Sequence, residues 1–446
     1  MPVPPITLSA DICNGSYQKF YLLLMEIPRS PDIQTKLKEL STSFTDKDRA
    51  EKPQNYERAM ANVINAIFDV ATTTIDKRFL MKAYCSDDVT LLKTDSADFR
   101  CSKCDPGVVI VPARCDIPVR LSHQKKYTLQ WRSIRATGEA KPKHRPKFCE
   151  LGELQVFTCW RQMVIADLDR ISEQAFTCCG GTFRYYHFDA EGFATSDEYD
   201  IAEEPLLFVN HILLLSTFFT ENFIRDQASS NSPRGSLICT RRAGIRGRRL
   251  AVYKIDCEGS PPMVEKNYWS TVRAPVPQEV QVYQHVEHTV NKGLHSDHVT
   301  RMLDFKIITS TAHIRRAFGI KSVAPKEHVR ITLDWHGTSL ENTISSWLDL
   351  TQNDKMKQLD CFLKMNEAVV AAIKGSYSIL SFRLVSDHLL GAESLLHLGI
   401  RHGDISPGNI CIADNGKHFL TDLGLASVVG DKYMAPASVR HFCLHL

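Results

Sequence analysis

The chain has 446 residues, of which 43% are hydrophobic and 24% charged, a globular composition that excludes wholesale disorder. Its 54 Lys and Arg against 51 Asp and Glu leave a formal charge of +3, which gives no bulk case for a nucleic-acid or membrane-surface protein. The opening MPVPPITLSADICNG has neither a basic start nor an apolar run like a secretory signal. The most apolar window, Leu206 to Phe219, is too short to span a bilayer and contains Asn210 and His211. The 14 cysteines are scattered along the chain rather than packed as a disulfide framework. These features predict an intracellular protein of cytoplasm or nucleus, with reduced thiols and no membrane partner.

In chain order, Asn55 to Thr74 places Ala59, Val63, Ile64, Ile67 and Val70 at helical spacing. Asp88 to Pro112 turns to short apolar runs ending in VVIVP, which predict strand. Lys125 to Lys147 is basic, carries Pro142 and Pro146, and reads as an exposed loop. Glu150 to Gln174 returns to a helical pattern through Val156, Trp160, Met163 and Ile171. Phe183 to Ile201 alternates around a Gly turn and predicts a hairpin, and an apolar helix follows over Glu203 to Arg225. Residues 1–150 are therefore expected to be a mostly helical accessory region.

Gln227 to Ser236 is polar, with Pro and Gly, and marks a boundary. Beyond it, Ser236 to Thr240 and Arg249 to Ile255 read as strands around a basic turn. A helix over Pro277 to Lys292 follows, then strands in HVTRMLDF and HVRITLDW. After Gly337 the pattern is helical as far as His402. Strands first and helices afterwards predict an α+β arrangement of a sheet lobe and a helical lobe.

The chemistry concentrates in HLGIRHGDISPGNICIADNGKHFLTDLGLAS, His397 to Ser427. Asp404 and Asn409 stand five apart in a Pro- and Gly-bearing loop, and Asp422 follows in Asp-Leu-Gly. Phosphoryl transfer from ATP needs such a set. One carboxylate accepts the proton of an attacking hydroxyl, while an amide oxygen and a second carboxylate hold Mg2+ against the phosphates. A hard cation wants oxygen ligands, hence Asn and Asp rather than His or Cys.

These residues resemble the protein-kinase superfamily. His402-Gly403-Asp404 with Asn409 is similar to the catalytic loop, and Asp422-Leu423-Gly424 is similar to D-F-G. Leu250-Ala251-Val252-Tyr253-Lys254 resembles the third-strand V-A-I-K, which implies that Lys254 clamps phosphates and pairs with Glu279. HGDISPGNI resembles more narrowly the fungal-type protein kinase family, as does His187-Phe188-Asp189-Ala190-Glu191-Gly192 with its F-D-x-x-G pattern. The resemblance implies a two-lobed kinase-like domain over 151–446, divided into an extension over 151–232, a β-rich lobe over 233–336 and a helical lobe over 337–446. It implies ATP and Mg2+ as cofactors and a protein Ser/Thr hydroxyl as acceptor. Asp404 would be the base, Asn409 and Asp422 the metal ligands, and Gly235 the remaining glycine of the phosphate loop. Nucleic acid is not expected as a partner.

Several features depart from the family pattern. Gly244 and Gly247 lie in the basic turn rather than in a Gly-rich loop, Gly403 replaces the loop Arg, and Ser406 stands where Lys is usual. Gly375 to Leu390 reads as an insertion. Asp431 to Ala437 only faintly resembles the end of an activation segment, so the helical lobe is expected to be truncated and activity low. Two other readings stay open: a small-molecule phosphotransferase of the aminoglycoside or choline type, and a pseudokinase or binding module. Three lesser constellations are weighed and set aside. Cys101 and Cys104, with Cys115 or Cys149, lack a second close pair for zinc. Asp105 with Glu153 and Gln155 resembles a nuclease pattern without its Lys. Arg241, Arg242, Arg246, Arg248 and Arg249 read as a solvated turn.

Overall fold

The computed structural model describes residues 31, 33–38, 53–74, 81–92, 106–113, 127–167, 170–216, 235–241, 249–256, 259–290, 298–343, 395, 398–404, 406–413 and 418–428. Expectations for Cys101, Cys104, Asp105, Cys115, Gly244, Gly247, the arginines from 242 to 248, residues 375–390 and Asp431 to Ala437 lie outside the described residues. The fold is mixed α+β and falls into two compact units. One comprises residues 1–233, 241–249 and 308–327, the other 234–240, 250–307 and 328–446. Among the described residues no helix is long and apolar enough to cross a membrane.

The first unit is built on helix α1 (Pro53–Thr74) and a seven-stranded sheet. Its strands are β1 (Met81–Cys85), β3 (Val108–Pro112), β5 (Ala136–Lys141), β6 (Ser172–Cys179), β7 (Thr182–Asp189) and β8 (Gly192–Thr195), in that order, with β9 (Tyr199–Asp200) beside β7. A separate parallel pair joins β2 (Val89–Leu92) to β4 (Tyr127–Gln130). Strands β1, β3 and β5 are antiparallel neighbours, whereas β5 and β6 run parallel, linked by helix α2 (Pro146–Ala166). Helix α3 (Pro205–Leu214) follows β9.

Several expectations change here. Where the accessory region is described, α1 is followed by five strands that the helical reading does not contain. The boundary expected at 150 falls inside α2, and strands on both sides of it share one sheet. Among the described residues of the stretch read as an exposed loop over Lys125 to Lys147, only the part around Lys143 to Arg145 is one: Ala136, Thr137, Gly138, Glu139 and Ala140 are all buried in β5. Pro146, taken as a loop breaker, opens α2, where its missing N–H costs nothing. That helix stops at Ala166 rather than at Gln174, and Ser172 begins a fully buried strand. The hairpin read from Phe183 onward is present, with Asp189 paired to Gly192 across a two-residue turn. Trp160 stacks on Phe188, with ring centres 4.3 Å apart, and joins α2 to this sheet.

In the second unit a five-stranded sheet runs in the order β10 (Ser236–Arg241), β11 (Leu250–Ile255), β12 (Met263–Thr271), β14 (Lys326–Asp334), β13 (Met302–Ser310). Helix α4 (Gln278–Val290) connects β12 to β13, and helix α5 (Thr311–Ala317), in the first unit, lies between β13 and β14. Shorter strands follow: β15 (Thr338–Ser339), β16 (Ile400–Arg401), β17 (Ile410–Ile412), β18 (His418–Leu420) and β19 (Ser427–Val428). Strands β15, β17 and β18 form one small sheet, and β16 pairs with β19. One apolar cluster unites these parts through Tyr268, Val280, Tyr283, Ile331, Ile400, Leu420 and Leu423. The strand β12 is absent from the sequence reading, which has two strands where three stand before α4.

Candidate active site

The loop between β16 and β17 carries His402, Asp404 and Asn409, and the stretch after β18 carries Asp422. One backbone bond ties these segments together, with Thr421 N–H donating to the Asn409 carbonyl at 2.9 Å, and within the loop Asn409 N–H donates to the Ser406 carbonyl at 2.9 Å. His402 Nε2 lies 2.9 Å from the Thr421 carbonyl oxygen, and Nδ1 accepts the Asp404 N–H at 3.3 Å. A carbonyl only accepts, so the ring carries its proton on Nε2 and is neutral in this arrangement. Burial pushes the His402 imidazole down, and outweighs the Thr421 carbonyl and the nearby Asp422 and Asp404 charges.

Asn409 Nδ2 donates to the Asp404 carbonyl at 2.8 Å and to Asp404 Oδ2 at 3.3 Å. Both amide hydrogens are thus directed at Asp404, and Oδ1 remains as the acceptor of the Asn409 side chain. Gly403 has φ of 81°, and a Cβ there would lie 2.5 Å from the Leu425 carbonyl oxygen. The sharp approach explains why a glycine, and not an arginine, stands between His402 and Asp404. Asp422 is also left-handed, at φ 59°, and its carboxylate accepts the Gly424 N–H at 3.2 Å. Asp tolerates this backbone because its short side chain can bond locally.

Lys254 is not the partner of Glu279. Its Nζ lies 2.9 Å from Asp256 Oδ1 and 5.2 Å from the centre of the Trp335 ring. The lysine that meets Glu279 is Lys266 of β12, whose Nζ is 2.5 Å from Glu279 Oε1 and 2.7 Å from Asp422 Oδ1. The strand count explains the difference: β11 is second in the sheet and β12 third, next before α4. Lys266 pairs in register with Val252, so Lys254 sits two residues further along the neighbouring strand. A signal was present in the sequence, since Lys266 stands 13 residues before Glu279 in a stretch directly preceding the helix.

Glu279 is 2% exposed at the start of α4. That helix is fixed at both ends of the loop region. Gln278 Nε2 donates to the Ala426 carbonyl at 2.9 Å, and His285 Nε2 lies 3.0 Å from the Leu398 carbonyl. Burial raises the Tyr283 hydroxyl pKa, with the charges of Glu279 and Asp422 adding to it. Gly235 stands just before β10 and against β11. A Cβ on it would come 1.7 Å from the Lys254 carbonyl oxygen, so close strand approach demands this glycine.

Asp404, Asn409, Glu279 and Asp422 of the sequence reading therefore gather with Lys266, while Lys254 pairs with Asp256. The assembled set offers an ammonium for phosphate oxygens, a carboxylate and an amide oxygen for a hard cation, and a second carboxylate in the adjoining loop. Among curated proteins, none matches the chain. A family model described as fungal protein kinase matches residues 114–441, a span that holds the loop, the Asp-Leu-Gly segment and Lys266 together. By that match, over most of its length, the chain belongs to the fungal protein kinase family.

Proposed function

We propose that the chain transfers the γ-phosphate of ATP to the hydroxyl of a protein serine or threonine, through a two-lobed kinase arrangement of its second unit. The observation that carries this reading is the single Lys266 ammonium held between Glu279 and Asp422. Glu279 aims Lys266 at the phosphates. Asn409 Oδ1 and the Asp422 carboxylate are an all-oxygen donor pair that fits Mg2+, which when bound neutralises charge on the phosphate oxygens. Asp404, with Asn409 directed at it, orients the acceptor hydroxyl and takes its proton. His402 serves as a neutral spacer that fixes the loop against Thr421. Protein substrates follow from the family; the hydroxyl type rests on the resemblance of the loop.

The test is a transfer assay with γ-labelled ATP and Mg2+. It offers the purified chain a protein panel, a panel of amino alcohols and aminoglycosides, and no acceptor. Label on protein Ser or Thr supports the reading. Label on the small molecules would move the chain to the small-molecule phosphotransferases, and nucleotide binding without any transfer would make it a pseudokinase.

A further inference from the structure

The first unit holds a second cluster of charged groups, which the kinase reading does not use. Glu57 from α1 and Glu139 from β5 converge beside Gly107, the residue before β3. Glu139 Oε1 accepts the Gly107 N–H at 3.0 Å, and a Cβ on Gly107 would lie 2.9 Å from Glu57 Oε1. Ser86 Oγ donates to Glu57 Oε2 at 2.5 Å. Lys141, two residues after Glu139 and so on the same face of β5, brings its Nζ to 2.8 Å from Glu139 Oε2. Glu139 is 1% exposed and Glu57 7%.

Thr137 stands on that same face, two residues before Glu139. It is fully buried, and its Oγ1 has no hydrogen-bond partner among the described residues. A buried hydroxyl left unpaired on the face that also buries the Glu139 carboxylate is costly for a purely structural central strand, which apolar side chains would serve better. Immediately after β5 the chain carries Lys143, His144 and Arg145, all exposed, and then Lys147. Such a basic rim is what a polyanionic backbone binds.

The chemistry of the donors is that of a hard divalent cation meeting a phosphate. Mg2+ binds through one or two carboxylates and leaves its other positions to water and phosphate oxygens. Among the described residues no group of three or more His, Cys, Asp or Glu could hold a metal, and a two-carboxylate site does not require one. The Glu-x-Lys spacing sought in vain at Glu153 is present here as Glu139-Ala140-Lys141.

We propose that the first unit is a separate hydrolytic centre for nucleic-acid phosphodiesters, with Mg2+ or Mn2+ held by Glu57 and Glu139 and with Lys141 facing the phosphate charge. A water oxygen bonds to phosphorus as one phosphorus–oxygen ester bond breaks. The proton of the water passes to solvent and the departing oxygen takes one from solvent. One water is consumed, a phosphomonoester end and a hydroxyl end are formed, and no oxidant or reductant is involved.

The experiment uses the full chain without ATP, so cleavage is independent of the kinase reading, and the Glu139 variant separates Mn2+ held here from any held by Asn409 and Asp422. Labelled single-stranded DNA, duplex DNA and RNA are incubated with Mn2+, with Mg2+ or with EDTA, and Mn2+ binding is read by electron paramagnetic resonance. Expected are Mn2+ binding and metal-dependent cleavage of at least one probe. Glu139→Gln weakens Mn2+ binding at least about tenfold and lowers cleavage with it, on the scale of disturbed metal sites. Lys141→Gln leaves both carboxylates, keeps Mn2+ and loses cleavage, which guards against a Glu139 variant that fails to fold. Absence of either Mn2+ binding or cleavage in the parent chain overturns the proposal. So does cleavage by folded Glu139→Gln and Lys141→Gln equal to that of the parent.

Discussion

The Asp189 cluster of the first unit and the Lys266 cluster of the second are built on opposite plans. In the first unit Asp189 takes Arg315 Nε at 2.7 Å and Nη2 at 3.0 Å, and its Oδ1 also accepts the N–H groups of Glu191 and Gly192. Arg249 donates to the Asp189 carbonyl at 3.0 Å. Glu191 is equally engaged, by the N–H groups of Val323 and Ala324 and the hydroxyls of Ser322 and Thr311. In the second unit one lysine is shared by two carboxylates that come from a helix and from a left-handed turn. A carboxylate held by a bidentate arginine and several backbone donors is a closed structural clamp. An ammonium divided between two carboxylates carries less positive charge than its partners carry negative, and so leaves carboxylate charge over for a cation.

The largest effect that sharpens this contrast is expected at Asp404. Asp404→Ala should lower phosphoryl transfer by about 10²–10⁴-fold, the usual contribution of a positioned base, while nucleotide binding survives. Transfer rates and nucleotide affinity measured side by side check it; equal loss of both would contradict the division of roles.

Next in size is the clamp. Asp189→Ala takes from the buried Arg315 guanidinium the carboxylate that holds it by two bonds and leaves it only Glu191 Oε1, at 3.2 Å, and should destabilise the first unit by about 3 kcal/mol in denaturant unfolding. Burial alone would raise the Asp189 carboxyl, but hydrogen bonds and charges from His187 and Arg315 outweigh it and hold it well below the usual carboxylate range. Its stabilisation is therefore complete above the unfolded carboxyl pKa and is lost only as pH falls through the lower, folded value.

A smaller effect of opposite sign belongs to Glu173, which accepts Trp160 Nε1–H at 2.9 Å. Burial pushes its carboxyl up to about 7, against the lowering charges of Arg249 and Arg170. The folded chain keeps a proton that the unfolded chain releases, so this stability is present below the ordinary carboxyl pKa and lost as pH rises through about 7. The loss should be on the order of 2 kcal/mol between pH 5 and pH 8. Glu173→Gln should flatten that slope, and an unchanged slope would refute the assignment.

What could be read in the sequence differs between the same two regions. The loop from His402 to Asn409 and the Asp-Leu-Gly at 422 were legible because their chemistry needs particular residues at fixed spacing. Lys266 was missed because β11, with Leu250-Ala251-Val252, has the apolar look of a third strand. In β12, Glu265, Lys266 and Asn267 stand side by side and hide the alternation, because their partners come from elsewhere: Glu279 for Lys266 and Arg330 for its neighbours. Strand β5 was missed for a related reason. Ala136, Gly138 and Ala140 have weak strand preference, and β5 is buried by tertiary context that no local pattern reports. Gly138 shows the demand directly, since a Cβ there would run into the Phe176 ring of the neighbouring strand.

The central claim is that Lys266, and not Lys254, is the lysine that meets the nucleotide. Its most direct test is the affinity of the chain for Mg2+–ATP after Lys266→Ala and after Lys254→Ala. Lys254 forms a partly exposed pair with Asp256, so its loss should alter stability by no more than about 1 kcal/mol and leave affinity near that of the parent. Lys266→Ala should weaken binding at least about tenfold, the loss of one charge-assisted contact. Weak binding in Lys254→Ala together with parental binding in Lys266→Ala would contradict the account.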